Sequence, residues 1–298
     1  MKNKIHIVGW LFWFLSLSPL VFSQCSFQTI TVPVSTLTSS TGTGVNDQGA
    51  VVGTFSKSSG ISPQGFLLFQ GKFSFFTFPP GFPTITGNIN NNSQIVGSFL
   101  KSGVEHAFVV RNSSFQEIVV PFSNNGAFAT GINNNNPGDI VGWFSDPSTG
   151  LSISYLRQSN GTFTKFTFPN PGGPTLSTEA SGINRNSIIV GTYTDAGGVV
   201  HGFMARNGAF QNIDFPGATS TRPGNVNDSN EVVGTYTLSD NSVHGYEQDL
   251  TANTFITIDR PGASATSIRG VNNNDQITGS NVIASNTTAF QGNCVSVF

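Results

Sequence analysis

The sequence predicts an all-β fold, a six-bladed β-propeller of four-stranded antiparallel blades. Three observations predict it. Three separate motifs each recur six times, and the glycines of one of them lie 44, 45, 49, 43 and 45 residues apart. Apolar segments are short and are cut repeatedly by Gly, Asn and Ser. Charged residues make up only 9% of the 298-residue chain, against about 25% in typical soluble domains, too few to clothe the solvent faces of many helices.

The elements of one repeat follow in order. The first strand ends on an aliphatic–Asn pair: Val45-Asn46, Ile89-Asn90, Ile132-Asn133, Ile183-Asn184, Val226-Asn227 and Val271-Asn272. A turn rich in Asn, Asp and Gly follows, as in Asn46-Asp47-Gln48-Gly49, where positive φ comes cheaply. The second strand carries a Gly-closed apolar dipeptide, as in Val51-Val52-Gly53 and Ile189-Val190-Gly191. The third pairs a small residue with an aromatic: Gly65-Phe66, Ala107-Phe108, Ser154-Tyr155, Gly202-Phe203, Gly245-Tyr246 and Ala289-Phe290. Turns such as Asn160-Gly161 and Asn207-Gly208 suit a hairpin leading to the fourth strand. That strand starts at Phe27, Phe73, Phe115, Phe163, Phe210 or Phe255 and is expected to end at Pro33, Pro79, Pro121, Pro169, Pro216 or Pro261, because proline has no N–H for the ladder. Four strands in one such repeat match a propeller blade, whereas a linear β-solenoid has shorter repeats.

Motif order also predicts how the ends meet. The chain begins with a fourth-strand motif and ends just after a third-strand motif, so the N-terminal strand is expected to complete the last blade and close the ring. The two cysteines fit this closure. Asn207 lies four residues after Phe203 and Gly208 two before Phe210, and the same offsets from Phe290 and Phe27 give Cys294 and Cys25. A Cys25–Cys294 disulfide is expected where the other repeats have a covalent turn; two unrelated buried thiols are the alternative.

Residues 1–23 read as a secretory signal peptide: Lys2 and Lys4, an apolar run from Ile7 to Leu20, and Val21-Phe22-Ser23 before Gln24. The run is shorter than the roughly 20 residues that span a bilayer, so no membrane span is expected once it is cleaved. Residues 24–298 form the propeller domain, which export would place outside the cytoplasm as a secreted, disulfide-permissive monomer. With 13 basic and 15 acidic residues, nucleic-acid binding is not expected.

The aliphatic-Asn, Val-Val-Gly and His-(Ala/Gly)-Phe order resembles the HAF family of bacterial probable extracellular repeats. The residues that carry it best are His106-Ala107-Phe108, and Ile183-Asn184 through Ile189-Val190-Gly191 to His201-Gly202-Phe203. The resemblance implies an extracytoplasmic repeat protein and brings no catalytic residue with it. Gln64, Ile153 and Thr288 stand where the family's histidine would be.

Candidate chemistry is sparse. His106, His201 and His244 share one repeat position, so they cannot converge on a metal, and turn or inter-blade hydrogen bonding is their expected role; no metal or cofactor is expected. The same separation argues against a Ser-His-Asp triad, and no Gly-x-Ser-x-Gly elbow is present. Four residues before the repeated aliphatic residue stand Thr41, Ile85, Phe128, Glu179, Arg222 and Ser267. If the first strand is innermost, these lie near one mouth of the channel. Phe128, Glu179 and Arg222, with the nearby Arg269, are the expected lining of a site for a polar ligand or partner. The expected function is non-enzymatic binding of an extracellular glycan or protein. The alternatives are a propeller-type carbohydrate hydrolase or lyase using Glu179 with a second acid, and a structural cell-surface or matrix component.

Overall fold

Runs of β-branched and aromatic residues cut by turn residues leave no stretch with helical periodicity, and all 24 elements are strands. They were traced in a computed structural model that describes residues 23–78, 81–124, 126–170 and 172–296. Residues 1–22 of the expected signal peptide, and Pro79, lie outside the described residues. No helix among the described residues is long and apolar enough to cross a membrane.

Strand β1 (Ser23–Thr29) precedes the repeats. The first sheet is β2 (Leu37–Val45), β3 (Val51–Lys57), β4 (Gln64–Phe69) and β5 (Lys72–Phe76), and the second is β6 (Thr84–Ile89), β7 (Ile95–Lys101), β8 (Val104–Arg111) and β9 (Ser114–Glu117). The third is β10 (Ala127–Ile132), β11 (Ile140–Ser145), β12 (Ser152–Arg157) and β13 (Phe163–Phe166). The fourth is β14 (Ser177–Ile183), β15 (Ile188–Thr194), β16 (Val200–Arg206) and β17 (Ala209–Asn212). The remaining strands are β18 (Ser220–Val226), β19 (Glu231–Thr237), β20 (Val243–Asp249), β21 (Thr254–Ile258), β22 (Ala265–Val271), β23 (Gln276–Ile283) and β24 (Asn286–Ser296). With β1 they form one eight-stranded sheet. It consists of two antiparallel four-strand runs, β18-β19-β20-β21 and β22-β23-β24-β1, joined by a single parallel pair, Val243 with Ala265.

The N-terminal strand pairs with the C-terminal one, Thr29 opposite Phe290 through Ser23 opposite Ser296. Cys25 and Cys294 face each other in this ladder and form a disulfide, with Cα atoms 4.1 Å apart. The pairing runs two residues beyond the disulfide, so the bridge lies inside a ladder rather than standing in for a tight turn.

Glycine and the aromatic residue of the third strand are complementary. Gly234 pairs with Tyr246, and a Cβ there would sit 2.6 Å from the Tyr246 ring and 2.5 Å from the Arg222 carbonyl. The aromatic side chain covers the glycine and is fully buried, as are Phe66, Phe108, Tyr155 and Phe203 over the equivalent glycines. One constraint thus explains two of the three motifs.

The fourth strands end three or four residues before the prolines, which corrects the expectation that proline stops the ladder. After a last backbone bond, such as Ile213 N–H to Gly202 O at 3.0 Å, the chain crosses to the next sheet. There a buried threonine hydroxyl accepts the crossing N–H: Phe78 to Thr84, Phe168 to Thr178, Phe215 to Thr221 and Arg260 to Thr266, at 2.8–3.0 Å. The crossing rings stack on the second strand of that sheet, Phe168 on Tyr193 at 3.9 Å and Phe215 on Tyr236 at 3.7 Å.

The asparagine of each aliphatic–Asn pair is at most 4% exposed. Its Oδ1 accepts N–H groups of its own turn, as Asn46 does from Gln48 and Ala50. Its Nδ2 donates to the carbonyl of the next repeat's asparagine: Asn46 to Asn90 at 3.2 Å, Asn90 to Asn133 at 2.9 Å and Asn133 to Asn184 at 3.4 Å. Asn184 continues to Asn227 at 2.8 Å, Asn227 to Asn272 at 3.1 Å, and Asn272 returns to Asn46 at 2.8 Å. The six bonds form a circuit that ends where it began.

Asn184→Asp keeps the acceptor but removes this donor, leaving the Asn227 carbonyl facing an oxygen. It is expected to lower stability by about 1–3 kcal/mol, read as a lower urea midpoint; an unchanged midpoint contradicts the assignment. Reducing the disulfide, or the paired Cys25→Ser and Cys294→Ser change, is expected to cost about 5 kcal/mol on the chain-entropy account, because the bridge spans 269 residues. Equal urea midpoints with and without reductant contradict that expectation.

Candidate functional site

The six first strands, β2, β6, β10, β14, β18 and β22, all contribute to the wall of one cavity of about 550 Å³. A bulge brings part of each strand into it. The ladder to the second strand shifts register around Thr43, Gly87, Thr130, Ser181, Gly224 and Arg269, and a bulge re-aims the residue it carries. Three of these residues bind toward the neighbouring repeat: Thr130 Oγ1 to Ala180 O and Ser181 Oγ to Pro223 O, both at 2.7 Å, and Thr43 Oγ1 with Thr86 Oγ1 at 2.8 Å. Arg269 has taken the same bulge position with a side chain that makes no such bond.

Past the aliphatic–Asn pairs the space narrows to about 30 Å³, room for about one water. A belt of polar side chains spans this end. Asn91 Nδ2 donates to Asp47 at 2.6 Å, Asn273 Nδ2 reaches both Asp47 and Asp228, and Asn134 Nδ2 reaches Asp228 at 2.9 Å. The backbone N–H of Asp47, Asn91, Arg185, Asp228 and Asn273 each donates to a belt side chain of the following repeat. Asn134 is left out, because Arg185 offers its N–H no acceptor.

Of the residues expected at the mouth, Arg222 and Arg269 line the large cavity together, as do Thr41, Ile85 and Ser267 from the same repeat position. Phe128 and Glu179 are not among its lining residues. Phe128 stacks on Trp143, directly opposite on β11, with ring centroids 4.0 Å apart. Glu179 stands opposite Thr192 of β15. The hydroxyls at the bulges escaped the sequence reading, although small polar residues three before the asparagine were a visible signal for them.

No Asp, Glu, His or Cys lines the large cavity, and every ion pair among the described residues has histidine as its cation. Arg269 reaches solvent through the cavity, yet the surrounding wall, and secondarily the charge of Arg222, hold its pKa below the usual value.

The histidines bond within their own sheet, not between sheets. His106 Nδ1 meets Glu117 at 2.8 Å, His201 Nδ1 meets Asp214 at 2.7 Å and His244 Nδ1 meets Asp259 at 2.7 Å. Each ring also stacks on a second-strand aromatic, Phe99, Tyr193 or Tyr236. His244 Nε2 lies 2.8 Å from Ser242 Oγ, so Ser242, His244 and Asp259 reach triad distances that the sequence argument had dismissed. The hydroxyl also lies 2.6 Å from Asp240 Oδ1, which as a pure acceptor takes the serine proton. With its hydrogen directed at Asp240, Ser242 does not offer it to His244 Nε2 and is not activated as a nucleophile.

No protein-family model matches the chain, and no curated protein matches it. Solved structures do. A mutant of AofleA from Arthrobotrys oligospora aligns with a TM-score of 0.57 at 11% identity, covering 92% of this chain and 90% of that one. An Aleuria aurantia lectin mutant in complex with Fucα1-6GlcNAc aligns with a TM-score of 0.56 at 11% identity, covering 87% of this chain and 96% of the lectin. Catalytically inactive virginiamycin B lyase from Staphylococcus aureus with quinupristin aligns at 0.50 and 12% identity, covering 91% of this chain and all of the lyase. These are β-propellers, and the likeness gives this chain a β-propeller-like repeat fold.

Burial alone would pull the His201 pKa down, but the hydrogen bond and charge of Asp214, and then those of Asp195, raise it above the usual 6.5. A raised value means stabilisation present below pH 6.5 and lost as pH climbs through the folded-state value. His201→Gln is therefore expected to lower stability at pH 5.5, by on the order of 1 kcal/mol or less for so accessible a pair, and to change little at pH 9. An equal loss at both pH values contradicts this reading.

Proposed function

We propose that the six repeats form one closed six-bladed β-propeller, exported by the leader at residues 1–23, with β1 completing the last blade. The returning asparagine circuit, the β1–β24 ladder and the participation of all six first strands in one cavity support this reading. The disulfide suits an oxidising compartment, and the repeat motifs support membership of the HAF-like extracellular repeats. The protein works as a monomer.

Its function is binding of an extracellular glycan or protein at the open mouth of the channel, without catalysis. Arg222 and Arg269 line the site, with Phe128 and Glu179 on the adjoining first strands β10 and β14. The observation that carries this reading is the cavity itself. It narrows toward the polar belt, and it is walled by hydroxyls, apolar side chains and two arginines with no carboxylate, imidazole or thiol. The hydrolase alternative needs two facing acids and a lyase needs a general base, and no Asp, Glu or His, Glu179 included, is on the cavity wall. A propeller lectin holding a fucosylated saccharide and a propeller lyase are both among the fold relatives, so fold alone does not choose between them; a lining without acids supports the binding reading. A structural matrix role would leave the cavity without a ligand.

A glycan array and a capture experiment with extracellular protein extracts test the reading. The expected result is a bound ligand whose affinity falls at least tenfold in the combined Glu179→Ala, Arg222→Ala, Arg269→Ala variant. Full binding by that variant, or no ligand at all, contradicts it.

A further inference from the structure

We propose that the channel selects a ligand bearing an oxyanion, a carboxylate, sulfate or phosphate carried on a small hydroxylated molecule, and that Arg222 and Arg269 grip it. The proposal deepens the binding function above and rests on it.

Two guanidiniums line one cavity from adjacent first strands. Arg222 lies on β18 opposite Thr235, and Arg269 lies at the bulge of β22. They are close enough for the charge of one to act on the other. Neither has a protein hydrogen bond or ion pair among the described residues, although each carries five N–H donors. Both side chains are exposed to the water of the cavity, so their donors are free for a ligand, and two like charges facing one space favour a ligand of opposite sign. The wall supplies no such group. A planar or tetrahedral oxyanion matches the fork of a guanidinium in both charge and geometry.

The hydroxyls around the wall divide into two sets. Thr43, Thr54, Thr86, Thr130 and Ser181 are committed to bonds that tie strand to strand. Thr41, Ser56, Thr235 and Ser267 line the same cavity with hydroxyls that have no protein hydrogen bond. These four belong to the fifth, sixth and first repeats, the stretch that also carries both arginines. The opposite wall offers Ile85 and the committed hydroxyls. The charge and the uncommitted hydroxyls thus lie on one side of the channel, which fixes an orientation: oxyanion toward Arg222 and Arg269, hydroxyls toward Thr41, Ser56, Thr235 and Ser267. A cavity of about 550 Å³ falls within the size range of small-molecule sites, roughly 300–1,000 Å³.

Sulfate, inorganic phosphate, glucuronate and glucose serve as probes, each added against sodium chloride of matched ionic strength, with thermal unfolding and calorimetry as readouts. The expected result is saturable stabilisation of the wild-type protein by glucuronate, sulfate and phosphate, with glucose at least tenfold weaker. In the Arg222→Gln, Arg269→Gln double variant the response to all three anions disappears, while its own unfolding stays cooperative. Glucuronate binding tighter than sulfate or phosphate supports a hydroxylated acid, and equal binding supports recognition of the oxyanion alone. Anion responses equal in wild type and double variant, or absent from both, overturn the proposal. A neutral glycan that binds the mouth equally well in the double variant also overturns it, while leaving the binding function intact.

Discussion

A single side-chain amide, repeated six times, sets the geometry of this protein. Asparagine at the end of each first strand is an acceptor and a donor at once. Its oxygen fastens the turn that follows it, and its NH₂ reaches the carbonyl of the corresponding asparagine in the next repeat. Aspartate would close the turn and repel that carbonyl. Serine is too short to do both. Burial makes the requirement strict, since each unsatisfied group would carry its full desolvation cost. Strand ends tied in this way hold the six first strands at a fixed spacing, and that spacing defines the small space on one side of the circuit and the large one on the other.

The packing between sheets follows from a second constraint. A ring laid over a glycine lets the first three strands of a sheet stay close, and the ring of the crossing segment then stacks against the next sheet. In two repeats the stack acquires a third layer, His201 or His244, whose Nδ1 is held by an aspartate just past the fourth strand. These contacts account for most of the phenylalanine, glycine and asparagine in the composition. They also explain why so few charges are needed: the surface consists of turns and strand edges, with no helix face to solvate. A guanidinium pair facing a cavity is unusual against that background, which is why the arginines of the fifth and sixth repeats stand out from the scaffold.

Much of this was legible in the sequence, because each motif marks a position where one residue type satisfies a local need. Repeat number, strand order, the pairing of the chain's ends and the Cys25–Cys294 bridge all came from counting such positions. What escaped depends on contacts between repeats, which no single motif carries. Proline looked like the strand terminator, yet the strand ends earlier, where Thr178 or Thr221 of the next repeat captures a crossing N–H. Histidine was expected in turn or inter-sheet bonds; His201 and His244 do reach turn residues, Asp195 and Ser242, while Asp214 and Asp259 lie beside them once the third and fourth strands pair. At the cavity, Arg222 and Arg269 were identified because they interrupt the repeat pattern. Phe128 and Glu179 interrupt it too, but Phe128 turns to the Trp143 ring on its own sheet. The bulge that places Arg269 on the wall has no sequence signature beyond the small residues around it.

Side-chain amide hydrogen exchange, followed by NMR on asparagine-labelled protein, tests the central claim most directly. If six asparagines tie the first strands into one circuit, then the amide groups of Asn46, Asn90, Asn133, Asn184, Asn227 and Asn272 exchange together. They should do so at least about 100-fold more slowly than the exposed Asn160 side chain, as members of one cooperative unit. Six amides exchanging as fast as Asn160, or a protected set that omits the Asn272-to-Asn46 link, would contradict the account.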